Sequence, residues 1–186
     1  DARGDYKAVY IEVVDIEVNY TDINNTNPGW VKMDSIYPGV YDLLKLSNGL
    51  DTLLGSLDLP AGRMNQIRLI LGDRNSVVLK TLDSITLSTP SAQQSGLKIS
   101  LKDSIKAGIT YDIVLDFDAG KSVVQAGKSG KYNLNPVIRA YAAANSGAIK
   151  GNVLPNSVIT AAVAVKGTDS IGTYTNTNGD FLIQGL

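Results

Sequence analysis

The chain has 186 residues, 44% of them apolar, with 17 basic and 18 acidic side chains and a formal charge of −1. It holds no histidine and no cysteine, so the usual base at neutral pH, the thiolate nucleophile and the common transition-metal ligands are missing from it. No run of basic residues offers the clustered face that releases counterions from a phosphate backbone, so nucleic acid is not an expected partner, and no stretch approaches the roughly 20 apolar residues that cross a bilayer as a helix.

Residues 6–20, YKAVYIEVVDIEVNY, alternate apolar and polar side chains with a period of two. Val9, Ile11 and Val13 share one face, Ile16, Val18 and Tyr20 continue the series in shifted phase, and the pair Val13-Val14 marks the change as a β-bulge would. One long, bent strand is predicted there. A polar loop then ends in Pro28-Gly29, a short strand is predicted over Trp30 to Met33, and Pro38-Gly39 turns the chain again. Residues 41–46 and 51–57 flank Asn48-Gly49, a dipeptide suited to the positive φ angles of a hairpin turn, which predicts that they pair.

Beyond Pro60-Ala61-Gly62 the spacing predicts strands over 65–71, 76–82, 84–88 and 97–101. The most regular pattern is Ile109 to Phe117, where Ile109, Tyr111, Ile113, Leu115 and Phe117 point one way and Thr110, Asp112, Val114 and Asp116 the other. Asp118 is placed to cap a short helix over 119–125, with Gly127 beyond its end. Strands over 132–134 and 137–143 bracket Pro136, which cannot donate to a ladder. Together these predict an all-β fold, an antiparallel β-sandwich over residues 1–143.

The texture changes at Asn145-Ser146. Brief strands over 148–153, 161–165, 170–175 and 181–183, with Asn178-Gly179 set for a hairpin turn, read as a second, smaller β-sandwich module over residues 147–186. Its few strands make it an incomplete one, since three or four strands are about the minimum for a stable core.

The segment Leu59-Pro60-Ala61-Gly62 followed by QIRLILGDRNSV, then TPSAQQSGLKI (89–99), AGITYDIVLDFDAGKSVV (107–124) and YNLNPVIRAY (132–141), resembles the domain of unknown function 4382, a family of Bacteroidetes envelope lipoproteins. The family's opening motif usually reads Thr-Asp-Ala-Pro, whereas Asp1-Ala2 is followed here by Arg3. GAIKGNV and TYTNTNGDFLIQGL are similar to the start of a carboxypeptidase regulatory-like repeat, a transthyretin-like β-sandwich whose name implies no peptidase activity. The resemblance implies an outer-membrane lipoprotein, periplasmic or surface-facing, that touches the membrane only through a lipid anchor upstream of Asp1.

Three acids invite a chemical reading. Asp112, Asp116 and Asp118 fall on one side of a strand near its exit, and converging carboxylates with backbone carbonyls could hold calcium, an oxygen-seeking cation. A charged outer face that keeps a sheet soluble and discourages edge pairing is the plainer explanation, and no spaced calcium-loop pattern accompanies the acids. A facing acid pair for glycan hydrolysis would rest on the same residues. Ser35, Ser91 and Ser104 lie in turn-like contexts without a Gly-x-Ser-x-Gly elbow or a histidine to activate them. Trp30, with Tyr20, Tyr37 and Tyr41, brackets the loops between the first strands; Trp30, Tyr37 and Tyr41 could stack on a sugar ring or anchor a protein, though such rings more often plug the end of a sandwich. Arg68 and Arg139 sit in apolar strands, where they reach an acid, solvent or a ligand carboxylate. The expectation is a non-catalytic envelope protein without a cofactor, calcium aside, that binds a glycan or envelope protein through its loops or serves a structural role. The alternatives are a carboxylate- or calcium-dependent glycan hydrolase and an assembly subunit that pairs strand edges.

Overall fold

The computed structural model describes residues 6–25, 27–89, 95–127 and 129–186; the opening Asp1-Ala2-Arg3-Gly4, Ser91 and part of the 89–99 motif lie outside them. Among the described residues the strands run β1 (Tyr6–Asp22), β2 (Gly29–Lys32), β3 (Ser35–Ile36), β4 (Gly39–Asp42), β5 (Gly55–Ser56), β6 (Gly62–Leu71), β7 (Ser76–Leu79), β8 (Ser84–Ser88), β9 (Leu97–Ile105) and β10 (Ile113–Phe117). A one-turn helix α1 (Ala119–Ser122) follows, then β11 (Val123–Gln125), β12 (Tyr132–Leu134), β13 (Ile138–Ala142), β14 (Ala148–Asn152), β15 (Ala161–Lys166), β16 (Asp169–Tyr174) and β17 (Asp180–Gln184). The fold is all-β and sandwich-like. No helix among the described residues is long and apolar enough to cross a membrane.

β1 is the axis. Val9, Ile11, Val13, Ile16, Val18 and Tyr20 are all buried, and the predicted phase change is a register shift between Val13 and Asp15 that leaves Val14 45% exposed. Val13 faces Gly39 of β4 and Leu71 of β6 at once, while Tyr10 faces Asp42 of β4 and Ser76 of β7. One edge of β1 therefore carries β2 and then β4, and the other carries β6 and then β7. The two halves of β1 lead into different strands: β7 continues to β8, β12 and β11, whereas β6 continues to β9. Most ladders are antiparallel as predicted, but β8 and β12 run parallel, so the large sheet is mixed.

The core lies between this sheet and the β10–β13 pair, from which Ile113, Leu115, Phe117, Ile138 and Ala140 pack against the buried face of β1, β6 and β9. Burying such a side chain contributes roughly 1.5–3 kcal/mol, against about 0–1 kcal/mol for an exposed ion pair. Alternation, more than charge, selects the architecture.

Several predicted elements are shorter or differently paired. β10 begins at Ile113 because β13 supplies partners only up to Ala142; Ile109, beyond that ladder and beside Gly108 at φ 72°, is 54% exposed. Asn48-Gly49 does turn, with φ 56° and 83°, but its flanks do not pair. β4 joins β1 and β5 joins β3, and the carboxylate of Asp42 accepts from the N–H groups of Leu44 (3.2 Å) and Val9 (3.4 Å), winding the chain into turns that dock Leu43 and Leu44 on the core. The Asp118 cap holds, accepting from the Lys121 N–H at 3.0 Å, yet α1 stops at Ser122 because Val123 is buried in the ladder with β12. β12 and β13 join different sheets, with Pro136 in the crossing between them.

The C-terminal strands form two ladders, β14 with β17 and β15 with β16. Asn178-Gly179 turns between β16 and β17 without making them a hairpin, since β17 takes its partner from β14. Ile183 and Thr175 are buried here, while Ile149, Val163 and Val165 are exposed by 47, 56 and 69%.

Candidate functional site

The three acids are not gathered. Asp116 lies opposite Arg139 in the β10–β13 ladder and accepts from its Nε at 2.7 Å. Asp118 caps α1 and pairs with Lys121 at 3.0 Å. Asp112 precedes β10, its carbonyl accepting from the Ala143 N–H at 2.9 Å. Among the described residues no group of three acidic side chains is arranged to hold a metal ion. Of the serines, Ser35 lies in β3 and Ser104 in β9 opposite Arg63, both in strands where turns were expected.

The aromatic group is partly engaged. The Arg68 guanidinium lies 3.9 Å from the centre of the Trp30 ring and donates to Glu17 at 2.8 Å, so one face of the indole is covered by a cation fixed across β1. Tyr41 donates its hydroxyl to the carbonyl of Tyr37, whose own side chain is 53% exposed. Buried Tyr20 closes the far end of β1, donating to the carbonyls of Pro60 (2.8 Å) and Ala61 (2.9 Å). Burial, and secondarily the charge of Asp22, raise its pKa above the usual 10.0.

Glu12 is the acid most altered by its neighbour. It accepts from the Arg74 side chain at 2.8 Å and from the Arg74 N–H at 2.9 Å, and these bonds lower its pKa below the ordinary 4.5. A carboxylate lowered in the folded state stabilises the fold fully above its unfolded pKa, and that contribution is lost as the pH falls through the folded value. Glu12→Gln is therefore expected to flatten the acid limb of a plot of unfolding midpoint against pH below about pH 4.5 while leaving its alkaline limb in place.

Two clefts open where the C-terminal strands meet the rest of the chain. One, of about 600 Å³, lies between Tyr6, Lys7, Lys45 and Lys80 on one side and Val158 and Tyr174 on the other. The other, of about 510 Å³, is formed by the Asn48 turn on one wall and by Lys150, Asn152, Asp180 and Phe181 of β14 and β17 on the other. In the sequence, Asn48-Gly49 and residues 176–180 carry strong turn signals, which account for these polar groups locally. Asp180 accepts from Asn152 at 2.8 Å and its N–H donates to the Asn176 side chain at 3.0 Å, so the turn also presents an ordered set of amide and carboxylate groups. Asn48 contributes a buried side-chain oxygen with no hydrogen-bond partner.

A family described as a domain of unknown function (DUF4382) matches residues 1–136. No curated protein and no solved structure matches the chain.

Proposed function

The chain belongs to the domain of unknown function 4382 family, and from that membership we propose that it is a non-catalytic protein of the cell envelope that binds a ligand through its loops and clefts. The observation that carries this reading is the engagement of its charged side chains. Glu12 is held by Arg74, Glu17 by Arg68, Asp116 by Arg139 and Asp118 by Lys121, each pair within 3.0 Å. A general acid or nucleophile must face a reacting atom in a cleft, whereas these carboxylates lie along strands and at a helix cap, where their partners hold them for the fold. The open concave surfaces are lined by amides, lysines and rings with one carboxylate each, and those carboxylates, Asp180 and Asp42, accept from neighbouring N–H groups of the fold. The envelope location is supported by the likeness of the 59–141 motifs to envelope lipoproteins.

The test is a glycan array probed with the labelled chain, scored in parallel for release of reducing ends. Retention of label on a subset of glycans with no release is the expected result. Release of reducing ends that disappears in Asp116→Asn would replace this reading with a hydrolase.

A further inference from the structure

We infer that the cleft of about 600 Å³ between the start of β1 and the loop before β15 binds a small phosphomonoester, its phosphate among Lys7, Lys45 and Lys80 and its apolar body against Val158 and Ile159. The site goes beyond the binding reading above, since its ligand is an anion with an apolar body rather than a glycan.

Strand pairing brings the ammonium groups together. Tyr6 faces Leu79 in the β1–β7 ladder, so Lys7 and Lys80 leave from neighbouring positions at the ends of those strands, and the turn after β4 adds Lys45. Asp42, the single carboxylate of the lining, is already engaged: it accepts from the N–H groups of Val9 and Leu44 and stands 3.8 Å from the Lys45 ammonium. Among the described residues neither Lys7 nor Lys80 has an ion-pair partner. Three ammonium groups against one carboxylate leave two positive charges unbalanced, which a phosphomonoester dianion cancels and a carboxylate only halves. Lysines act as point charges on flexible stems, so they can close on a tetrahedral anion from several sides.

The opposite wall is apolar. Val158 and Ile159 are adjacent yet 66 and 52% exposed, a pair that the fold leaves uncovered. Leu44 and the ring of Tyr174 lie beside them in the lining. Their exposure does not come from a loose loop. Thr160, next in the chain, donates its N–H to the Thr175 hydroxyl and accepts from the Thr175 N–H, both at 2.9 Å, and Thr175 is itself buried. Across the cleft Tyr6 is fixed as well, edge-on to Tyr132 with ring centres 6.2 Å apart. Inorganic phosphate would leave the apolar pair uncovered, and a neutral amphiphile would leave the two ammonium groups unanswered. A small molecule that carries both parts satisfies both walls.

Titration of the ¹⁵N-labelled chain at low salt and about pH 7.5, where the phosphate is a dianion, tests the site. The ligands are octyl phosphate, octanoate, octyl glucoside and inorganic phosphate, the amphiphiles kept below their micelle concentrations. Octyl phosphate should shift the amide signals of Lys7, Lys80, Val158 and Ile159 saturably, about tenfold more tightly than octanoate or inorganic phosphate, and octyl glucoside should not shift them. Lys7→Gln combined with Lys80→Gln should weaken octyl phosphate about tenfold and remove most of the salt dependence of its binding. Val158→Ser combined with Ile159→Ser should bring it down to the level of inorganic phosphate. All four positions are exposed, and an unchanged remainder of the spectrum shows that the variants are folded. Octyl glucoside or octanoate binding as tightly as octyl phosphate, octyl phosphate binding that survives the lysine substitutions, or no shift at the four amides would each overturn the site. The glycan array decides the binding reading independently of all these results.

Discussion

Asn75→Ala should lower the unfolding free energy by about 2–4 kcal/mol, seen as an earlier urea midpoint with an unchanged slope. Asn75 is 1% exposed and stands where the run of strands along one edge of β1 is interrupted between β6 and β7. On that edge the ladder offers the Glu12 N–H no strand partner. The side chain supplies one: its oxygen accepts from the Glu12 N–H at 2.8 Å and its nitrogen donates to the carbonyl of Gly72 at 2.7 Å. Its own carbonyl accepts from Leu87 at 2.8 Å, so the residue also ties the gap to the start of the next strand pair. Alanine removes the partner of the Glu12 N–H and one donor to the Gly72 carbonyl in a part-buried position, and each lost bond costs about 1–3 kcal/mol. Asn75→Asp keeps the acceptor but sets a carboxylate beside the Gly72 carbonyl, and should do no better than alanine. An unmoved midpoint in both variants would show that the gap is closed by something other than this side chain.

That residue also marks the limit of what the sequence tells. The alternation along β1, the bulge at Val14 and the Asp118 cap are local consequences of side-chain period and of one carboxylate three residues from its donor, and each is written in a few consecutive residues. Asp73-Arg74-Asn75 is written just as plainly as a turn, yet the bonds that give Asn75 its importance run to Glu12, 63 positions away. The same holds for Asn48-Gly49. The dipeptide fixes two positive φ angles, but whether its flanks pair with each other depends on Asp42 and on the free edge of β1, which the hairpin signal does not contain. Strand identity was legible because burial imposes the period; strand partners were not, because neighbouring patterns of equal period compete for the same edge.

The cleft beside the Asn48 turn failed to appear in the sequence for the same reason. Its two walls come from residues about 100 positions apart in the chain and from turn-forming residue types whose local role is sufficient explanation. Of the aromatic residues, Trp30 lies near the end of β1, where Arg68 approaches it across the sheet, a contact that strand register alone decides, while Tyr41 lies opposite Ile11 further along the strand.

Arg139→Glu should loosen the C-terminal strands from the rest of the chain, with a loss of about 2 kcal/mol in their protection against amide exchange. The guanidinium donates to Asp116 at 2.7 Å, to the carbonyl of Gln184 at 2.6 Å and to that of Gly185 at 3.0 Å, and lies 5.2 Å from the centre of the Tyr141 ring. One cation therefore joins β10, β13 and the end of β17. Packing there is close, since a side chain at Gly185 would meet Tyr141 at 2.7 Å and Arg139 at 2.9 Å. Glutamate removes all three donors, leaves two carbonyls seeking partners and adds a second carboxylate opposite Asp116. Arg139 and Asp116 are 31 and 41% exposed, so water recovers part of the lost bonding and the expected cost stays well below that of a buried pair. Arg139→Lys keeps the charge but lacks the planar fork that reaches three acceptors, and should fall between the two. Faster exchange should be concentrated in residues 180–186, with the buried positions of β1 unaffected. Unchanged exchange over residues 180–186 in Arg139→Glu would mean that the strands are held by the Leu182 contact with the Asn48 turn rather than by this cation.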